Sequence, residues 1–126
     1  MNSPLIAIVD DDEALCASLV DLLRSVGYRA EPFFRADTFL AAPDRSRYDC
    51  VIADVRMPGT SGLDLVRKLR ERSERTPVIL ITALPGSRLE DEAISAGAEC
   101  LFRKPLETQV VLDHVARSLS RGRFPR

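Results

Sequence analysis

Short apolar segments alternate along the chain with longer segments that repeat apolar residues at helical spacing. The short segments are predicted β-strands: Leu5–Val9, Arg29–Phe33, Cys50–Ala53, Val78–Ile81 and Cys100–Phe102. In the first helical segment apolar residues recur from Leu15 to Val26, and Gly27 follows as a helix stop. The other predicted helices are Arg35–Ala42, the stripe of Leu65, Val66 and Leu69 after Gly62, Arg88–Ala96, and the stripe of Val111, Val115 and Leu119.

This alternation predicts an α/β fold, a five-stranded parallel sheet with five helices covering both faces. Right-handed crossovers then favour a doubly wound, flavodoxin-like sheet with strand order 2-1-3-4-5. The 126 residues fit one domain. We assign it residues 1–121, and we interpret the basic residues 122–126 as a C-terminal tail or the start of a linker.

Composition and charge exclude several classes of protein. A formal net charge of -1 gives little attraction to nucleic acid or to an anionic membrane, so we expect no direct contact with either. No apolar run is long enough to span a bilayer, and the N-terminus lacks the pattern of a signal peptide, which predicts a cytoplasmic protein. Cys16, Cys50 and Cys100 form no CxxC pair, so we expect buried reduced thiols and no zinc site.

Polar residues that can carry chemistry follow four of the predicted strands. Asp10 and Asp11 follow the first strand, Asp54 the third, Thr82 the fourth and Lys104 the fifth. In doubly wound sheets, ligands bind beyond the carboxyl ends of the strands, near the point where the strand order reverses. We therefore expect these side chains to meet at one edge of the sheet.

The chemistry of this group points to a hard metal ion and a phosphoryl group. Two carboxylates ~4 Å apart repel by roughly 4 kcal/mol at an effective dielectric near 20, so Asp10, Asp11 and Asp54 need a cation. Oxygen ligands without imidazole or thiolate favour Mg²⁺, or Mn²⁺, and magnesium in proteins often also binds a phosphate. With Lys104 and Thr82 beside it, Asp54 could attack phosphorus and form an aspartyl phosphate.

Together these motifs resemble the receiver domain of two-component response regulators. The motifs are an acidic pair after strand one, D-x-x-M-P-x-x-[ST]-G after strand three, T-A after strand four and K-P after strand five. The stretch DVRMPGTSG resembles the FixJ-type branch of that family. The similarity runs from about Leu5 to about Leu119, which is nearly the whole chain.

The resemblance implies a role for each acidic residue. Asp54 would be the phosphoacceptor and would also contact the metal. Asp11 would bind Mg²⁺ directly, Asp10 would hold it partly through water, and the backbone carbonyl of Arg56 would complete the protein ligands. The expected cofactor is therefore Mg²⁺, with Mn²⁺ as a possible substitute.

Further residues are assigned by the same resemblance. Thr82 and Lys104 would bind the phosphoryl oxygens, and Pro105 would follow a cis peptide bond that directs Lys104 into the site. Many receivers place a Tyr or Phe switch residue three positions before the lysine, but this chain has Leu101 there. We expect Leu101 and the neighbouring Phe102 to be core or helix-docking residues, and the aromatic switch residue has no counterpart at that position.

The resemblance also implies the partners. The phosphodonor would be a phosphohistidine of a sensor histidine kinase, and the domain would catalyse only its own phosphorylation and dephosphorylation. Phosphorylation would switch the face formed by helix four, strand five and helix five, which could also serve as a homodimer interface. A DNA-binding effector domain, absent from this chain, could follow it.

Alternative interpretations are weaker. Asp10 and Asp12 match the D-x-D spacing of haloacid-dehalogenase hydrolases, but the later acidic pair of that family has no convincing counterpart here. A flavin carrier on the same fold would need a loop that binds phosphate where DDDEA stands. A receiver used only for docking has no support except Leu101. Asp12 and Glu13 suit the first turn of a helix, and we expect His114 to be structural.

Overall fold

Strands and helices alternate through residues 3–123, the part of the chain that the computed structural model describes, with side chains described for residues 3–120. The strands are β1 (Leu5–Val9), β2 (Arg29–Phe33), β3 (Cys50–Asp54), β4 (Val78–Thr82) and β5 (Cys100–Arg103). The helices are α1 (Glu13–Ser25), α2 (Ala36–Ala41), α3 (Gly62–Glu71), α4 (Arg88–Ala96) and α5 (Thr108–Arg123), with a 3₁₀ turn at Arg45–Arg47.

The five strands form one parallel sheet in the order β2-β1-β3-β4-β5, which confirms the predicted topology. In the register of the sheet Val9 pairs with Ala53, Asp54 with Ile81, and Thr82 with Arg103. The carboxyl ends of β1, β3, β4 and β5 therefore lie at the same edge, as a site there requires.

Alternating strand residues fill two apolar layers, one on each face of the sheet. Ala7 and Val9 pack with residues of α2, α3 and α4, whereas Ile6 and Ile8 pack with residues of α1 and α5. Burying one such large aliphatic side chain contributes roughly 1.5–3 kcal/mol. Because β1, β3 and β4 are buried on both faces, their sequences are continuously apolar and were recognisable as strands.

Local signals in the sequence account for several helix ends. The Asp12 carboxylate accepts a hydrogen bond from the Leu15 backbone N–H at 3.1 Å and so caps α1. Ser61 caps α3 in the same way, accepting from the Asp64 N–H at 3.1 Å. Gly27 follows α1 with φ of +95°, a conformation that favours glycine, which confirms the predicted helix stop.

The observed bounds differ slightly from the predicted ones. Strands β3, β4 and β5 each continue one residue further, because Asp54, Thr82 and Arg103 still pair in the sheet. Helix α5 continues to Arg123, past the predicted start of a tail at residue 122. Residues 124–126 lie outside the described residues, and the division into domain and tail stays a prediction. None of the helices within the described range is long and apolar enough to cross a membrane.

Candidate metal and phosphoryl site

Three carboxylates meet where β1 and β3 end. One oxygen from each of Asp10, Asp11 and Asp54 lies within 4.8 Å of the other two. Asp10 is fully buried, Asp54 is 7% exposed and Asp11 is exposed, so the cluster opens to solvent on one side. Hard oxygen ligands in a half-open group suit Mg²⁺, which keeps several of its waters when bound. The donor set therefore fits the metal that the sequence predicts.

Asp10 is held firmly in its buried position. Its Oδ1 accepts a hydrogen bond from the Asp12 backbone N–H at 2.9 Å. Burial raises the pKa of Asp10, and the nearby negative charge of Asp54 adds to that increase, against the opposing effects of the Asp12 N–H and Lys104. An ionised Asp10 is therefore costly in the protein without a bound cation, as expected of a metal ligand.

Lys104 joins the two buried acids. Its Nζ lies 3.1 Å from Asp10 Oδ2 and 3.2 Å from Asp54 Oδ2. Burial acts to lower the pKa of Lys104, but the hydrogen bonds and charges of Asp10 and Asp54 outweigh it and the pKa is raised. The Lys104 backbone N–H donates to the Thr82 carbonyl at 2.7 Å, and the Lys104–Pro105 peptide bond is cis, as the resemblance implies.

The loop after β3 and the start of α3 both contact Asp54. The Arg56 backbone N–H donates to Asp54 Oδ1 at 3.3 Å, and the Arg56 side chain is exposed. A Cβ placed on Gly62 would lie 2.3 Å from the Asp54 carbonyl oxygen, so the start of α3 packs directly against that strand end. The metal-binding role of the Arg56 carbonyl stays a prediction.

Thr82 is the last residue of β4, one position beyond Ile81, the partner of Asp54 in the sheet. Its side chain is buried, and its Oγ1 accepts a hydrogen bond from the Leu84 backbone N–H at 3.0 Å. The structure thus places the hydroxyl at the same edge as the acids, where it holds the start of the following loop. Its contact with a phosphoryl oxygen stays a prediction.

Of the residues expected to be structural, Leu101 is buried in the core, whereas Phe102 and His114 are half-buried. Leu101 is 8% exposed and belongs to the apolar layer that includes Ala93 of α4. Phe102 points to the other face, where its ring meets that of His114 edge to face at a centroid distance of 4.6 Å. The three cysteines are partly as predicted, since Cys16 and Cys50 are buried but Cys100 is half-buried.

The sequence reasoning missed a polar contact that fixes the loop after β3. The Thr60 hydroxyl donates to Asp37 Oδ1 at 2.5 Å, and the Thr60 N–H lies 3.3 Å from Asp37 Oδ2. These hydrogen bonds from Thr60 lower the pKa of Asp37. The two residues are 23 positions apart, so no local spacing could have revealed the pair.

The family of this chain follows from a comparison with known protein families. The family model described as the response regulator receiver domain matches residues 6–116. The chain belongs to this family. Membership decides against the hydrolase and flavin-carrier alternatives, and it agrees with the motifs that meet at the edge of the sheet.

Relatives and solved structures agree with this assignment. The receiver domain is 40% identical over 118 residues to the response regulator protein TodT of Pseudomonas putida, covering 94% of this chain and 52% of that protein. The chain spans about half the length of the curated relatives it matches. The crystal structure of FixJ-N superimposes with a TM-score of 0.85 at 33% identity, covering 95% of this chain and 96% of that one. A BeF₃-activated DrrB receiver domain gives a TM-score of 0.86 at 29% identity, covering 94% and 99%.

Proposed function

We propose that this receiver domain accepts a phosphoryl group on Asp54 from a phosphohistidine of a sensor histidine kinase, in a reaction that requires Mg²⁺. The observation that carries the proposal is the position of Lys104, whose ammonium lies within 3.2 Å of both Asp10 and Asp54. A cation beside an almost buried carboxylate, with further acids alongside to hold a metal, is the arrangement that phosphoryl transfer to an aspartate requires.

The chemistry assigns a task to each side chain. Asp10, Asp11, Asp54 and the carbonyl of Arg56 would hold the ion, and a bound Mg²⁺ or Mn²⁺ supplies positive charge to the phosphoryl oxygens. An oxygen of Asp54 attacks phosphorus and forms the new O–P bond. The N–P bond of the phosphohistidine breaks, and the leaving imidazole keeps its electron pair.

Lys104 and Thr82 complete the proposed site. The ammonium of Lys104 pairs with Asp10 and Asp54 in this structure. In the phosphorylated protein it would also donate a hydrogen bond to a phosphoryl oxygen. The Thr82 hydroxyl would donate to another oxygen, and the rotation of the side chain towards that oxygen would move Oγ1 away from the Leu84 N–H. Fixed donors aimed at developing charge are the main contribution a protein makes to such a transfer.

Phosphorylation is proposed to act on the face formed by α4, β5 and α5. Thr82 ends β4 and Lys104 follows β5, so both strands connect the site to that face. Two of its elements carry exposed apolar side chains, Ile94 on α4 (54% exposed) and Val110 on α5 (36% exposed). A second copy of the domain, or an effector domain outside this chain, could bind there.

The proposal also includes a cytoplasmic location. Residues 1–121 would form the receiver domain, and residues 122–126 would lead from it as a tail or linker.

Incubation with acetyl phosphate and Mg²⁺, followed by intact-mass measurement, tests the proposal directly. We expect one phosphoryl group per chain, stable in acid and labile in base, and no label without the metal. Asp54→Asn should abolish labelling. Asp64→Asn, which changes an exposed carboxylate paired only on the surface with Arg67, is the matched control and should label like the natural chain.

Three results would contradict the proposal. Equal labelling of the Asp54→Asn variant would show that another residue accepts the group. Sustained turnover of a phosphatase substrate would indicate a hydrolase, whereas a single stoichiometric modification is expected of a receiver. If the natural chain were not labelled in the presence of any metal, the result would favour the alternative in which the domain serves only for docking.

A further inference from the structure

Arg103 and Thr82 are direct neighbours at the ends of two strands. They are the last residues of β5 and β4 and pair in the register of the sheet. Two positions earlier, Leu101 pairs with Leu80, and both lie in the apolar layer beneath α3 and α4. Since side chains two positions apart on a strand point to the same face, Arg103 and Thr82 both project towards the loop that leads into α4.

This neighbouring pair holds the loop between β4 and α4, residues 83–87, at two places. The Leu84 backbone N–H donates to Thr82 Oγ1 at 3.0 Å. Further along the loop, Nη2 of Arg103 donates to the carbonyl oxygen of Gly86, which has φ of +106°. The start of the loop is thus held by the hydroxyl that the proposed function uses, and its later part is held by a guanidinium.

The second arm of the guanidinium has no partner. Nη1 of Arg103 is buried without a hydrogen bond, and within residues 3–120 it is the one buried side-chain nitrogen or oxygen in that condition. Native proteins pair nearly all such groups, so an exception needs an explanation. Because the other arm is engaged by the loop, the unpaired arm lies next to a segment that can supply carbonyl groups.

We propose that Arg103 is a positioning residue that holds the β4–α4 loop in two alternative positions. In the resting position Nη2 binds the Gly86 carbonyl. In the phosphorylated position, Nη1 instead donates to a carbonyl oxygen of the loop. This inference rests on the proposed function, because it is Thr82 turning to the phosphoryl group that frees the Leu84 N–H and lets the loop move.

The planar guanidinium group of Arg103 has the geometry needed to bind the loop in two positions. Arg103 presents two parallel donors in fixed geometry, so a loop carbonyl that leaves one can meet the other without movement of β5. A lysine at this position keeps the charge, but its three donors sit on a single nitrogen, so it has no second donor nitrogen in fixed geometry. Two discrete arrangements of one packed segment are what a conformational switch requires. The buried side chain of Leu101 can then remain in the core in both positions of the loop.

Amide hydrogen exchange of residues 84–88 tests the two positions separately. It is measured with Mg²⁺ in the resting protein and again with acetyl phosphate or beryllofluoride. For Arg103→Met we expect exchange about tenfold faster in both states, as for loss of one charge-assisted hydrogen bond. For Arg103→Lys we expect resting exchange within about twofold of the natural chain, but about tenfold faster exchange in the phosphorylated state. Arg88→Met, at an exposed arginine beside the same loop, should change neither.

The outcomes distinguish this inference from the proposed function. Normal labelling of Asp54 with unchanged exchange in Arg103→Met would overturn the inference alone. Equal behaviour of Arg103→Lys and the natural chain in both states would overturn the need for a second arm. No label on the natural chain would overturn the proposed function and with it the second loop position. Faster resting exchange in Arg103→Met would then still establish the Gly86 contact.

Discussion

The ammonium nitrogen of Lys104 lies 3.1 Å from a carboxylate oxygen of Asp10, although 94 positions separate the two residues. Asp10 is fully buried and the Lys104 side chain is 23% exposed. Removing one partner of a buried pair leaves an uncompensated charge. We therefore expect Lys104 to stabilise the folded protein without metal, in addition to its proposed role in phosphoryl transfer.

We expect Lys104→Met to lower the free energy of unfolding by about 2 kcal/mol without Mg²⁺, less than for a fully buried pair because Lys104 is partly solvated. Added Mg²⁺ should recover part of this loss, since the dication takes over the pairing of Asp10. Urea unfolding with and without the metal measures both effects. Lys68→Met, at the exposed lysine of α3, is the control. An unchanged stability in Lys104→Met would show that water compensates Asp10.

Magnesium itself should stabilise the fold through the three acids. A ligand at about 100 times its dissociation constant adds about 2.7 kcal/mol to the free energy of unfolding. Asp11→Asn should remove this gain and leave the stability without metal within about 0.5 kcal/mol, because Asp11 is exposed. Thermal unfolding across a magnesium titration measures it, with Asp113→Asn on α5 as the control. A full magnesium effect in Asp11→Asn would remove that residue from the ligand set.

The Asp37–Thr60 contact predicts a pH dependence of stability. The pKa of Asp37 is lowered in the folded protein, so the folded state binds its proton less readily than the unfolded chain. This contribution is present above the ordinary pKa of 3.8 and is lost as the pH falls through the lowered value. Thr60→Val should be less stable than the natural chain near neutral pH, and the difference should vanish in acid. A difference that is constant with pH would assign the effect to packing of the Thr60 side chain instead.

The features that the sequence predicted best are those that depend on one continuous segment of the chain. The buried strands are continuous apolar runs, and the rule for parallel sheets then placed Asp10, Asp54 and Lys104 at one edge. Contacts that depend on how separate segments approach could not be foreseen in this way. The bond from Arg103 to the Gly86 carbonyl and the pair of Asp37 and Thr60 are of this kind, since each joins a strand or helix to a loop distant in sequence.

Gly62 offers a test of how closely α3 must approach the phosphoacceptor strand. A Cβ there would lie 2.3 Å from the Asp54 carbonyl oxygen, a backbone atom that cannot move without moving Asp54. We expect Gly62→Ala to lower the free energy of unfolding by about 2–3 kcal/mol and to slow labelling of Asp54 by acetyl phosphate, because the strand end is displaced.

Gly27→Ala provides the matched control, since Gly27 has φ of +95° but open space around the new Cβ. It should cost about 1–2 kcal/mol through backbone strain alone and leave the labelling rate unchanged. The comparison separates a glycine needed for conformation from one needed for close approach. If both variants lose the same stability and label at the natural rate, the contact between α3 and Asp54 does not position the site.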